Sequence, residues 1–202
     1  SQEDAGRLNS ILDNGRVEVV PNAVDTDYFS PNLKAERING LVFFGTMNWY
    51  PNIQAVRYLI SNLADPIAAE FPELTIHIIG ANAPQHIKDL ADRHSNVILH
   101  GFVDELRDYM HDTVFICPIT DGGGTKLKML DALSMGMPII AHPIACEGID
   151  VKDGVDVLFA TNVEEYMTKL RLLMNDSDYT GVLRSNARKL ALETYSVKIV
   201  GK

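Results

Sequence analysis

Cysteine is almost missing from this 202-residue chain, which has only Cys117 and Cys146. They form no CxxC and join no Cys/His cluster with ligand spacing, so a disulfide scaffold is not expected. His77, His86, His94, His100, His111 and His142 are scattered, and no metal site is expected among them. Positive charge is also short. Eighteen Lys and Arg stand against 27 Asp and Glu, a formal net charge of -9, which argues against a nucleic-acid surface. No apolar run reaches the roughly 20 residues of a membrane span, and no signal-peptide pattern is present. Two familiar phosphate motifs are lacking as well. There is no Gly-x4-Gly-Lys-Ser/Thr, and no GxGxxG follows the first buried strand.

What is present is an ordinary globular composition, 46% apolar and 22% charged. The chain starts without Met. Ser1 followed by Asp4 looks like a capping box with Asp for Glu, which suggests an excised domain. Residues 1–13 read as a short helix, and "VEVV" at 17–20 as a short strand. Apolar runs then alternate with helical patterns. "GLVFFGT" (40–46), "LTIHIIG" (74–80), "NVILHGFV" (96–103), "VFICPI" (114–119), "PIIAH" (138–142) and "DVLFA" (156–160) read as strands. Such unbroken runs fit strands buried on both faces. Between them come a helix over about 52–71, a helix over 83–94 with Pro in its first turn, and a short one at 104–112. Two helices, about 163–175 and 178–195, close the chain. Ala55, Leu59, Leu63 and Ile67 lie four apart on one face of the long helix. The alternation predicts an α/β fold with a doubly wound, Rossmann-like parallel sheet, and no polar linker divides the chain. One domain over 1–202 is expected.

Ligands of such sheets bind beyond the carboxyl ends of the strands. The segment there that stands out is "DGGGTKLKMLDALSMGMP" (121–138). Gly122, Gly123 and Gly124 let backbone approach a ligand closely, and the helix that follows offers free N–H groups and positive dipole charge. Lys126 and Lys128 add formal charge. They sit about 200° apart around a helix, so both serve one ligand only if Lys126 is pre-helical. Lys128 is favoured as the phosphate ligand. The bland alternative is a flexible turn before a solvated, lysine-rich helix start. Asp131, three residues after Lys128, reads either as a surface ion-pair partner or as an acceptor for a ribose diol. In "FFGTMNWYPN" (43–52), Gly45 and Thr46 read as donors to a phosphate, and Trp49 and Tyr50 as lid, platform or packing. Backbone around Gly80, Phe102 and Val103 reads either as the edge-reader of a base or as plain capping. Glu147 is taken as structural.

Together these segments resemble the C-terminal, donor-binding domain of family 4 glycosyltransferases, which have the GT-B fold. "VVPNAVDTDYFSP" is similar to the family's interdomain "PNGVD…F.P", "LVFFGTMNWYPN" to its first strand and turn, and "LTIHIIGANAP" to "L.I.G.GP". "VILHGFVDEL" resembles "V.F.G.V..L", and "VFICPITDGGGTKLKMLDALSMGMPIIAH" resembles the sugar-nucleotide loop and helix. The resemblance covers nearly the whole chain. It implies a retaining transferase with no cofactor and no bound metal. The donor is a nucleoside-diphosphate sugar. The acceptor side is an N-terminal domain not included in this chain, and the setting is polysaccharide biosynthesis.

On this resemblance Gly45, Thr46, Gly123, Gly124, Thr125, Lys126 and Lys128 face the diphosphate and Asp131 the ribose. Gly80, Phe102 and Val103 face the base, and Asp121 and Gly122 the sugar. The chain departs from the family at Gly123, where a Glu is usual, and at Thr46, Met47 and Asn48, where Arg and Lys are frequent. No catalytic side chain is carried over. The expected location is cytoplasmic, with peripheral contact of the whole protein at the inner membrane face. Two alternatives stay open. A sugar-nucleotide epimerase would bring more acid/base side chains to the cleft, and a non-catalytic nucleotide-sugar module would fit the lost Glu.

Overall fold

The computed structural model describes residues 6, 8–11, 20–31 and 37–201. The capping box at Ser1 and Asp4, most of the first predicted helix and residues 17–19 of the first predicted strand lie outside them. Val20, the one described residue of that strand, is exposed coil.

Among the described residues six strands form one parallel sheet: β1 (Gly40–Phe44), β2 (Thr75–Ile79), β3 (Val97–Gly101), β4 (Thr113–Cys117), β5 (Ile139–Ala141) and β6 (Leu158–Phe159). Their spatial order is β3-β2-β1-β4-β5-β6, parallel throughout. Every residue of β1, β4 and β5 is buried, as unbroken apolar runs require when helices cover both faces. The edge strand β3 is buried only at Val97. Strand order reverses between β1 and β4, so the ends of those two strands flank the switch-point crevice where such sheets take ligands.

The long helix after β1 has three parts. Helix α1 (Tyr50–Tyr58) passes through a π-helical turn (Leu59–Leu63) into α2 (Ala64–Glu70). Pro66 explains the irregularity. Its ring cannot sit beneath a regular turn and it donates no N–H, so the preceding turn widens rather than breaking. The buried stripe survives, with Ala55, Leu59, Leu63 and Ile67 each at most 1% exposed. Helix α3 (Gln85–Ala91) has Pro84 as its extended N-cap, not in its first turn as the sequence suggested. The short helix α4 is Arg107–Met110.

Helix α5 (Leu127–Ser134) leaves β4 through the glycine loop, and Lys126 is its N-cap. Helices α6 (Val163–Asn175) and α7 (Ser177–Leu190) follow, and α7 runs on through a π turn (Ala191–Tyr195). They do not close the chain, because Ser196 caps one more short helix, α8 (Val197–Val200). The segment before β1 is pinned to this end. Val24 donates to Tyr195 O and accepts from Val197 N. Arg188 of α7 donates to Thr26 O, Phe29 O and Ser134 O, and Ser134 Oγ donates to Phe29 O. One guanidinium thus ties residues 26–29 to the last turn of α5.

Candidate functional site

Three strand ends on one side of the crevice are laced by main-chain hydrogen bonds. Gly45 N donates to Ile79 O (2.9 Å), Met47 N to Ala81 O (2.9 Å) and Gly80 N to Gly101 O (2.7 Å). This changes two expectations. The Gly45 N–H is spent inside the fold and is not free for a phosphate. The Gly80 N–H is likewise spent and not free for a base. Both glycines matter through their missing side chains. A Cβ on Gly80 would fall on Gly45 O. A Cβ on Gly45 would fall on Lys128 Nζ and lie 2.7 Å from Asn52 Nδ2.

That second contact defines the centre of the site. Lys128 lies in the first turn of α5 and reaches across the switch point into the space Gly45 leaves. Its ammonium donates to Asn52 Oδ1 (2.5 Å) and sits 4.6 Å from the centroid of the Phe43 ring, a cation–π contact. Asn52 is 3% exposed and uses its other amide atom to donate to Thr46 O (2.7 Å), so it clamps the β1 turn to the lysine. Burial pulls the Lys128 ammonium down to about 8, against the pull of Cys117 and Asp131 and with a further push from Lys126. Burial pushes the Asp131 carboxyl up to about 6, although Lys128 holds it down. A half-buried cation and carboxyl one turn apart, each destabilised in its charged form, stand ready for a ligand that completes their solvation.

Lys126 behaves differently. It is pre-helical, as joint action of the two lysines required, but it is 4% exposed and turned back on its own loop. Its Nζ donates to Gly122 O and to Gly124 O (2.9 Å for the latter). The loop is therefore wound around an internal cation, with Gly122 and Gly124 at φ +91° and +79°. A trans peptide points its N–H opposite to its C=O, so with these carbonyls on the ammonium the N–H groups of Gly123 and Thr125 face away from it. Asp121 is exposed and its Oδ1 accepts from Gly122 N (2.6 Å). Gly123 is exposed, with open space where a Cβ would stand. Trp49 packs over Gly122, with its Cζ2 3.0 Å from the position of a Cβ there, so it walls the loop. Thr125 touches the β5 side, where its Oγ1 lies 2.7 Å from a Cβ on Gly148.

Gly45, Thr46, Gly122, Thr125, Lys126, Lys128 and Asp131 thus come from the β1 and β4 ends and the helix between β4 and β5. Phe102 (76% exposed) and Val103 (half-buried) lie on the β2–β3 side. A cavity of about 620 Å3 opens there, walled by Ala81, Asn82, Lys88, Asp92, His100 and Phe102. Its wall residue His100 pairs with His77 (Nε2 to Nδ1, 2.9 Å) and packs on Tyr109, and burial lowers the pKa of both imidazoles. Among the described residues no three His, Cys, Asp or Glu side chains group as a metal site. Sequence reasoning missed Asn52 as a site residue. Its one signal was a polar residue on the apolar face of α1, beside Ala55 and Val56.

The family profile described as Glycosyl transferases group 1 matches residues 38–176. The chain belongs to that family. This group 1 domain is 25% identical over 171 residues to an uncharacterized 44.6 kDa protein in the cps region of Klebsiella pneumoniae, covering 79% of this chain and 43% of that protein. Its fold is similar to S. aureus TarM in complex with fondaparinux, alpha-GlcNAc-glycerol and UDP (TM-score 0.77, 16% identity, 99% of this chain and 41% of TarM). It is also similar to the C-terminal domain of LpcC, a glycosyl transferase group 1 family protein from Francisella tularensis (TM-score 0.69, 17% identity, 86% of this chain and 99% of that one). The group 1 domain therefore spans less than half of the curated relative and of TarM. At these identities the structural likeness speaks for the fold.

Proposed function

We propose that residues 1–202 act as the donor-binding domain of a retaining glycosyltransferase that works with an N-terminal acceptor-binding domain. One observation carries this. Lys128, Asn52 and Gly45 meet at the switch point, one helical turn from Asp131 and directly beside the glycine loop. The diphosphate of a nucleoside-diphosphate sugar lies over the N–H groups of the glycine loop and of the start of α5, with Lys128 beneath it. As the sugar leaves, charge develops on the diphosphate, and preorganised donors stabilise it without reorganising. Asp131 accepts from the ribose diol. The base extends toward Phe102, Val103 and the cavity by β3. Asp121 and Gly122 face the sugar. UDP in the complex of TarM supports the donor class. The isolated C-terminal domain of LpcC, of which the chain covers 99%, supports a unit with these bounds.

No side chain of this chain needs to serve as acid or base in this scheme, and no metal ion is invoked. Lys128 and the helix N-terminus neutralise the leaving group, and Lys126 adds its charge from beneath the loop it braces. We place the activity in polysaccharide biosynthesis at the inner, cytoplasmic membrane face. The acceptor site is assigned to the N-terminal domain, and no catalytic residue is assigned.

Calorimetric titration of UDP, GDP and ADP into the chain and into Lys128→Ala tests the assignment. One nucleotide is expected to bind the unaltered chain and to weaken by about tenfold or more in the variant. No binding by any of the three, or equal affinity in the variant, would sink the assignment. Nucleotide binding without donor hydrolysis or transfer by the full-length protein would instead favour a non-catalytic nucleotide-sugar module.

A further inference from the structure

A second cationic recess lies away from the donor site, between α1 and α3. Two helical stripes face each other there. Arg57 and Ser61 are four apart across the α1–π junction. His86, Leu90 and Arg93 follow i, i+4, i+7 along α3 and the turn after it. These five residues wall a cavity of about 290 Å3. Leu90 is the half-buried floor, and the four polar residues are exposed around it.

Three features set the recess apart. None of its five walls carries a carboxylate, on a chain with 27 acidic and 18 basic residues. Its two guanidiniums have no hydrogen bond or ion pair among the described residues. By contrast, Arg107 pairs with Glu105, Arg171 with Glu70, and Arg188 with three carbonyls. Of the acids nearby in sequence, Asp65 is engaged with His94 and Asp89 with Gln85, while Asp92, next to Arg93, lines the cavity by β3 and not this recess. Two unpaired planar forks, an imidazole and a hydroxyl around an apolar floor supply donors and no competing acceptor charge. That is the complement of a phosphate ester, which guanidinium binds bidentately. The cavity is at the small end of ligand sites, near about 300 Å3, so it suits a headgroup rather than a nucleotide.

We infer that this recess binds a phosphate monoester or diester group, distinct from the diphosphate of the donor. Such a group comes either from a soluble phosphorylated compound or from the headgroup of an anionic lipid.

The test has two arms, each run on the chain and on the Arg57→Ala/Arg93→Ala double variant. Both arginines are exposed, so the variant keeps its unfolding midpoint. In the first arm, inorganic phosphate is titrated with UDP in excess, and amide shifts are followed by NMR. Saturable shifts are expected at Ser61, His86 and Arg93, and a weakening of about tenfold or more in the variant. In the second, the protein is sedimented with vesicles of phosphatidylglycerol and phosphatidylcholine, or of phosphatidylcholine alone. Retention on the anionic vesicles only, lost in the variant and falling with salt, identifies the lipid headgroup as the source. Phosphate binding without vesicle retention identifies a soluble ester. No response in either arm, or responses the variant leaves unchanged, overturns the inference.

Discussion

The two sides of the switch point are built on opposite plans. On the β1–β2–β3 side the turns are bound to one another, Gly45 to Ile79, Met47 to Ala81 and Gly80 to Gly101, and their N–H groups are spent. On the β4 side the glycine loop is held by one side chain, the buried Lys126, whose ammonium occupies the loop's carbonyls. The first plan makes a rigid wall that contributes shape. The second makes a mouth whose donors stay free. Lys128 joins them, since it grows from the helix of the β4 side and ends in the gap that Gly45 leaves in the wall.

The largest expected effect comes from breaking the wall. Gly80→Ala puts a Cβ onto Gly45 O, a main-chain atom that cannot swing aside as a side-chain end can. A loss of about 3 kcal/mol or more in denaturant unfolding is expected. A variant as stable as the parent would show that the wall is not rigid.

Next comes the joining pair, which titrates. Lys128 loses its proton as pH rises through about 8, and Asp131 gains one as pH falls through about 6. Affinity for whichever of the three nucleotides binds should therefore be highest between these values, dropping above 8 and more gently below 6. The bound diphosphate favours the ammonium and shifts the upper limb upward in the complex. Folding has the opposite sign for the lysine. Its depressed pKa means the unfolded chain holds the proton up to about 10.5, so stability rises between pH 8 and 10.5. For Asp131 the raised pKa favours the fold at low pH, and that contribution is lost as pH rises from 3.8 through about 6. A flat calorimetric pH profile would separate this pair from binding.

A smaller effect is expected in the mouth. Lys126→Met frees the carbonyls of Gly122 and Gly124. Amide exchange over residues 122–125 should accelerate, and the nucleotide that binds should do so about threefold to tenfold more weakly, through lost order and lost charge. Unchanged exchange would show that Lys126 is not the loop's internal brace. The smallest effect is Gly123→Glu, which supplies the carboxylate that the sequence resemblance leads one to expect there. Its Cβ meets open space, so thermal stability should stay within about 0.5 kcal/mol. A marked drop would mean that the loop closes where the structure leaves it open.

The wall was more legible in the sequence than the mouth, for a physical reason. Burial on both faces writes itself as unbroken apolar runs, so β1, β4 and β5 could be read directly, and so could the stripe of Ala55, Leu59, Leu63 and Ile67. The π turn was not legible as such, although Pro66 was its cause. Glycines announced close approach at Gly45 and Gly80 but not what approaches them. The expectation of free N–H groups there failed because the parallel neighbour takes them. Lys126 and Lys128 look alike in a string, and only side-chain direction turns one back on its own loop and sends the other across to Asn52. Asn52 lay beyond reach because its partner is 76 positions away.

Arg188 gives the site helix a mechanical address. Its guanidinium holds the carbonyls of Thr26 and Phe29 with one hand and Ser134, at the foot of the helix bearing Lys128 and Asp131, with the other. Residues 26–29 and the helix that carries Lys128 and Asp131 therefore share one guanidinium, and its loss would leave them joined by the Ser134 Oγ to Phe29 O hydrogen bond.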